Sequence, residues 1–309
     1  MEGIVIKSTG SWYLVKTIEG DIFKCKIKGR FKTQGIKSTN PIAAGDKVSF
    51  IVQKEEGVGF INKIHTRQNY IVRKATKLSS RSHIIAANID YAILVISLAF
   101  PRTSTGFIDR FLLTAEAYHI PAVLVFNKID LHDKKLNEQL EKWMGLYQKI
   151  GYQCFALSAK NKEGIEPLKK LIKNKTSLFS GHSGVGKSAL VNTIQPGLQL
   201  KTSKVSESNE KGTHTTTFAE MHPLGFGGYI IDTPGIRGFG LVDFIPEEVP
   251  NYFPEFRQFS SSCKFSNCTH THEPECAVIK AVNNGEIAES RYNNYLAIIK
   301  DDYFSEKPY

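Results

Sequence analysis

The chain has 309 residues, 41% of them hydrophobic, and a formal charge of +10. No apolar run reaches the roughly 20 residues of a membrane helix, and Met1-Glu2-Gly3-Ile4 lacks the basic and apolar regions of a secretory signal. A cytoplasmic protein of two or three domains is expected, with no membrane partner.

Residues 1–66 read as β. Short runs rich in Ile, Val, Tyr and Phe cover Gly3 to Lys7, Ser11 to Thr17, Ile22 to Ile27, Lys47 to Val52 and Gly59 to Ile64, with turn signals at Glu19-Gly20-Asp21 and Glu55-Glu56-Gly57. Five short strands fit an OB-fold barrel, a common oligonucleotide binder. Gly29 to Asn40 reads as an exposed basic loop. Residues 1–81 carry 16 Lys and Arg against 6 Asp and Glu, while the remainder carries 24 of each. A basic module ahead of a neutral body suits a polyanionic partner, nucleic acid first; a merely solvated lysine surface is the plainer alternative. Trp12, Tyr13 and Phe23 are either stacking faces or core. Residues 67–87 are basic and weakly periodic and read as a linker.

The pattern then changes to strands alternating with helices, the mark of a parallel α/β sheet with crossovers. Strands are expected at Tyr91 to Leu98, Ala122 to Phe126, Cys154 to Leu157, Thr176 to Ser180 and Tyr229 to Ile231. Helices are expected at Phe107 to Tyr118, Leu136 to Lys149, Gly164 to Ile172 and Ser188 to Ile194. Ligands on such sheets bind beyond the carboxyl ends of the strands, and there the motifs fall.

Gly181-His182-Ser183-Gly184-Val185-Gly186-Lys187-Ser188 fits G-x-x-x-x-G-K-[ST], with Ala189 continuing the helix. Backbone N–H groups and the helix N-terminus cradle phosphates, Lys187 reaches the β and γ phosphates, and the Ser188 hydroxyl ligates Mg²⁺. Asn127-Lys128-Ile129-Asp130 fits N-K-x-D. A carboxylate at Asp130 accepts from guanine N1–H and the 2-amino group, donors that adenine lacks; Asn127 braces the loop and the Lys128 stem packs on the base. Ser158-Ala159-Lys160 follows one βα unit later, its small residue letting an N–H approach guanine O6. Asp232-Thr233-Pro234-Gly235 ends a strand: Asp232 suits the Mg²⁺ shell, and the Gly235 N–H suits γ-phosphate sensing. Between these two motifs, Lys211 to Thr217 offers Thr215 or Thr216 as a switch ligand to Mg²⁺. The nucleotide is therefore GTP or GDP. N-K-x-D and S-A-K precede the phosphate loop, the reverse of the usual order, so the GTPase domain is circularly permuted.

Cys263, Cys268, His270 and Cys276 form a Cys/His cluster suited to one closed structural Zn²⁺ site. His272 is the rival for the fourth position. Five cysteines without a secretory signal argue against a disulfide framework. Cys276 to Val282 and Ile287 to Tyr303 read as helices.

A basic barrel, a permuted GTPase and this cluster together resemble the ribosome small-subunit-dependent GTPase A (RsgA) family over essentially the whole chain. The division expected is 1–66 barrel, 67–87 linker, 88–245 permuted GTPase and 246–309 zinc-binding helical domain. The resemblance implies a GTPase of late small (30S) subunit maturation that binds 16S rRNA, acts as a monomer, and is stimulated by the subunit. Many GTPases place a Gln after D-x-x-G; here Ile236 stands there, and it cannot orient water. Some relatives carry a His after a Gly-Leu pair, where this chain has Asp243. His214 is then the nearest imidazole and the candidate catalytic His. Gly184 replaces the Asn of potassium-activated relatives, so no K⁺ requirement is expected.

Overall fold

The computed structural model describes residues 1–27, 41–53, 57–73, 83–198, 219–232 and 246–300. Five strands, β1 (Glu2–Ser8), β2 (Tyr13–Thr17), β3 (Ile22–Ile27), β4 (Lys47–Gln53) and β5 (Val58–Ile64), close into the expected barrel. Their order is β1-β2-β3-β5-β4, and β4 pairs back onto β1. Only β3 and β5 run parallel. Alternation does the sorting, since successive side chains face opposite sides of a strand: Tyr13, Val15 and Thr17 turn inward on β2. Val5, Cys25, Val48, Phe50 and Ile61 fill the interior with them. The basic loop at Gly29 to Asn40 lies outside the described residues.

The span expected as a linker carries β6 (Tyr70–Arg73) and β7 (His83–Ala87), an antiparallel pair. Arg67 is tied to the barrel through a fork onto the buried Asp46, Nε–Oδ1 and Nη2–Oδ2 both at 2.6 Å, and donates to the Pro41 carbonyl at 2.7 Å. Bidentate pairs of this kind are among the stronger charge-assisted hydrogen bonds. Ile71, Ile84 and Ala86 are buried, so the segment packs rather than dangles.

The central sheet follows with β8 (Tyr91–Ser97), α1 (Thr105–Ala117), β9 (Ala122–Asn127), α2 (Lys134–Ile150), β10 (Gln153–Ala156), α3 (Ile165–Ile172), β11 (Thr176–Ser180), α4 (Lys187–Ile194), β12 (Glu220–Pro223) and β13 (Tyr229–Asp232). Strand order is β10-β9-β8-β11-β13-β12, with only β12 antiparallel. β8 and β9 are buried along nearly their whole length, as strands covered on both faces must be. One face packs with α1 and α2 residues such as Phe111, Leu112, Leu140 and Tyr147. The other packs with α3 and α4 residues such as Leu168, Ile172, Leu190 and Ile194. β12 joins the barrel edge through Lys7 opposite Glu220, with a 2.8 Å ion pair between them.

Beyond a 3₁₀ turn (Pro246–Tyr252) come α5 (Pro254–Ser260), α6 (Ala277–Asn283) and α7 (Glu289–Lys300). Their core is Val249, Phe253, Phe256, Val278, Tyr295 and Ile298, joined by Leu113 from α1. This is the mixed α/β architecture expected: barrel, central sheet and helical C-terminal module.

Candidate functional site

The motifs converge at the carboxyl ends of β9, β11 and β13. After β11 the chain turns through Gly181, Gly184 and Gly186, all at positive φ. Gly186 is the tight point: a Cβ there would stand 2.4 Å from Asn127 Nδ2, and φ is +95°. Only glycine meets both demands. Val185 is buried in the core between β11 and α4 and pins the loop. Lys187 and Ser188 open α4, whose Gly186 cap supplies no side-chain acceptor. By contrast, Ser104 accepts from the Phe107 N–H at the start of α1, and Asp133 accepts from the Leu136 N–H at the start of α2. The first N–H groups of α4 are thus left to an external anion, favoured there by the helix dipole.

Asn127 ties three motifs together. Its Nδ2 donates to the Val185 carbonyl at 2.9 Å, and its Oδ1 accepts from the Ala159 N–H at 3.0 Å. Lys128 sits at φ +69° and donates to the Gly184 carbonyl at 2.7 Å and the Phe100 carbonyl at 2.5 Å. Burial lowers its pKa, with Asp130 opposing the shift. The Ser158 hydroxyl donates to Asp130 Oδ1 at 2.5 Å and accepts from the Asn161 N–H at 3.1 Å. A carboxylate held this way at one oxygen presents the other to a ligand. The bond from the Ala159 N–H to Asn127 packs the S-A-K turn against the N-K-x-D loop. Lys160 is exposed.

Asp232 ends β13, which pairs with β11 in parallel through Leu178 opposite Ile231; its backbone therefore stands beside the strand that feeds the phosphate loop. His214, Thr215, Thr216 and Gly235, with Ile236, lie outside the described residues. Of the expected Mg²⁺ ligands, Ser188 heads α4 and Asp232 ends the neighbouring strand.

Sequence reasoning missed one feature of the loop. The His182 ring lies against Phe107 at the start of α1, centroids 3.7 Å apart, and burial lowers the His182 pKa. No motif flags Phe107; its place follows only from the packing of α1.

The second cluster stands in the C-terminal module. Ligand atoms of Cys263, Cys268, His270 and Cys276 all lie within 4.8 Å of one another. The Cys263 Sγ–His270 Nδ1, Cys263 Sγ–Cys276 Sγ and His270 Nδ1–Cys276 Sγ separations are 3.6, 3.9 and 3.3 Å. Tetrahedral zinc, with bonds near 2.3 Å to sulfur and 2.1 Å to nitrogen, needs donors roughly 3.5–3.8 Å apart, so the donor set fits. Burial pushes the Cys268 thiol up to about 12; a divalent cation is what makes such a thiol a thiolate. His272 is exposed and its Nδ1 sits 2.8 Å from the Thr271 hydroxyl, apart from the cluster. Outer contacts fix the loop: Tyr292 donates to the His270 carbonyl at 2.8 Å, Tyr295 donates to the Thr269 carbonyl, and Glu273 accepts from the Thr269 and Thr271 N–H groups at 2.7 and 3.0 Å.

Comparison with known proteins agrees with this arrangement. The RsgA GTPase family matches residues 64–242, and the RsgA N-terminal domain matches residues 2–61. A small ribosomal subunit biogenesis GTPase RsgA of Bacteroides fragilis is 52% identical over 97% of both chains. Its counterpart in Flavobacterium psychrophilum is 54% identical over 98% of this chain and 93% of its own. The crystal structure of YjeQ from Thermotoga maritima superposes with a TM-score of 0.81 at 38% identity over 99% of both chains. That of YloQ, a circularly permuted GTPase, gives 0.76 at 29% identity over 100% of this chain and 96% of its own. The chain belongs to the RsgA family and is a circularly permuted GTPase.

Proposed function

We propose that this protein hydrolyses GTP as a late maturation factor of the small (30S) ribosomal subunit: it docks on 16S rRNA in the GTP state and leaves after hydrolysis. We take barrel 1–66, linker 67–87, GTPase 88–245 and zinc domain 246–309 as its working parts, the linker span holding the β6–β7 pair. The observation that carries the reading is the guanine loop, with Asn127 and Lys128 bonded to the phosphate loop and Asp130 held by Ser158. The relatives' names, small ribosomal subunit biogenesis GTPase, supply the target.

In this reading Asp130 reads the guanine edge, Lys187 and the α4 N-terminus hold the phosphates, and Ser188 with Asp232 and a switch threonine holds Mg²⁺. The ion would neutralise charge developing on the β and γ oxygens. Cys263, Cys268, His270 and Cys276 hold one structural Zn²⁺. With Ile236 where many GTPases carry Gln, intrinsic turnover is slow and the subunit completes the site.

Cosedimentation with purified small subunits tests the cycle. The protein should stay bound with a non-hydrolysable GTP analogue and be released with GTP; equal retention with both contradicts the reading.

RNA contact centres on the barrel. Lys24 and Lys26 place ammonium groups 4.1 and 4.2 Å from the Trp12 ring centroid, whereas Tyr13 is buried and Phe23 packs on Phe50. Of the three aromatics, Trp12 suits stacking. Trp12→Ala should weaken binding to a 16S rRNA fragment by about 1–3 kcal/mol. Lys24→Ala should reduce the salt slope of binding by roughly one. Unchanged affinity and slope in a salt titration would remove this face from the interface.

A further inference from the structure

α1 is gripped from two sides. At 100° per residue, Gly106, Asp109, Leu113 and Glu116 form one stripe, and every member meets the C-terminal module. A Cβ on Gly106 would stand 3.5 Å from Asn294 Oδ1. Asp109, fully buried, lies 2.6 Å from Arg291 Nη1 and accepts from Asn294 Nδ2 at 2.5 Å. Leu113 packs in the C-terminal core. Glu116 pairs with Arg257 at 2.9 Å. Arg291 donates in turn to both carboxylate oxygens of Glu255, at 2.6 and 3.1 Å, and lies over the Phe253 ring at 4.5 Å. One buried guanidinium thus joins a carboxylate of each module, a geometry that tolerates little drift because a displaced partner leaves a buried charge uncompensated.

Phe107 stands two residues, about 200°, from Asp109, so it points across the helix. There it stacks on His182 of the phosphate loop. A stripe that a surface helix would give to solvent is here a joint, and the opposite side of the same helical turn touches the nucleotide loop.

We infer that α1 links the zinc module to the phosphate loop: the Asp109–Arg291–Glu255 triad sets the position of α1, and Phe107 is a positioning residue that passes it to the loop through His182. The inference rests on reading Gly181–Ser188 as the phosphate loop. It gives the module a route to the nucleotide through packed side chains, separate from the connection at residues 233–245. Displacements near 1 Å at such a site cost about 10²-fold in rate, so a small rotation of α1 suffices.

A double-mutant cycle on the full chain, read as GDP affinity, tests it. Asn294→Ala removes one hydrogen bond from the module side, and Phe107→Ala removes the stack. Asn294→Ala should change GDP affinity about threefold or more, and the effect should vanish in the Phe107→Ala background. A purely structural role would lower the melting temperature in both backgrounds but leave the effects on GDP affinity multiplicative; that result overturns the inference. If Asn294→Ala does not fold, Arg257→Ala, at an exposed ion pair, completes the cycle with the same two readings. Failure of the unaltered protein to bind GDP would overturn the phosphate-loop reading itself, and the inference with it.

Discussion

Asp130→Ala should weaken GTP binding by about 10²–10⁴-fold and leave the already weak ATP binding unchanged. Two guanine donors, N1–H and the 2-amino group, lose a charged acceptor, and hydrogen bonds to charged groups contribute about 1.5–3 kcal/mol each. The Ser158 hydroxyl, which donates to Asp130 at 2.5 Å, loses its partner as well. Because Asn127 and Lys128 hold the phosphate loop independently through the Val185 and Gly184 carbonyls, the fold should survive the substitution. The loss is then one of base recognition, seen in nucleotide competition at equal protein stability. Asp130→Asn replaces an acceptor by a group that also donates, and should shift preference towards a purine with a carbonyl at position 2. Loss of GTP affinity below about fivefold would mean that base selection lies elsewhere, since polar mismatches in a hydrogen-bonding site ordinarily cost far more.

Removing zinc should be the largest stability effect. Structural zinc contributes on the order of 10–16 kcal/mol to small folded modules, and the C-terminal core is modest in size. Cys276 also caps α6, its Sγ accepting from the Ile279 N–H at 3.5 Å; serine is a good N-cap, so Cys276→Ser removes the zinc ligand while sparing the helix start. About one equivalent of bound zinc should be found by metal analysis, falling to near zero in Cys276→Ser and in His270→Ala, with melting lowered by roughly ten degrees or more. His272→Ala should keep the metal. Zinc retained in His270→Ala and lost in His272→Ala would reverse the assignment.

Much of this was legible because the chemistry is local in sequence. Asn127-Lys128-Ile129-Asp130, Ser158-Ala159-Lys160 and Gly181 to Ser188 each sit at the end of an apolar run, and the βα rhythm brings strand ends to one edge. The permutation was readable from motif order alone, and the sheet order β10-β9-β8-β11-β13-β12 agrees with it. The barrel strands were legible because short runs rich in Ile, Val, Tyr and Phe are punctuated by turn signals such as Glu19-Gly20-Asp21. Other features depended on partners far along the chain. β6 and β7 are short runs whose pairing comes from each other and whose burial comes from the core of the central sheet. β12 has only four residues and takes its place between β13 and β1. Asp109 looks like the solvent face of an amphipathic helix; partners distant in sequence, Tyr147, Arg291 and Asn294, make it interior. His270 and His272 differ by two positions, and it was the fold of the loop that turned one inward and left the other exposed.

In the proposed cycle the small ribosomal subunit completes the nucleotide site. GTP turnover by the full chain, measured with and without purified small ribosomal subunits, tests it most directly. Slow turnover alone, raised about tenfold or more by equimolar subunits as their contacts order the reacting groups, is the predicted result. Fast turnover by the isolated protein, unchanged when subunits are added, would contradict it.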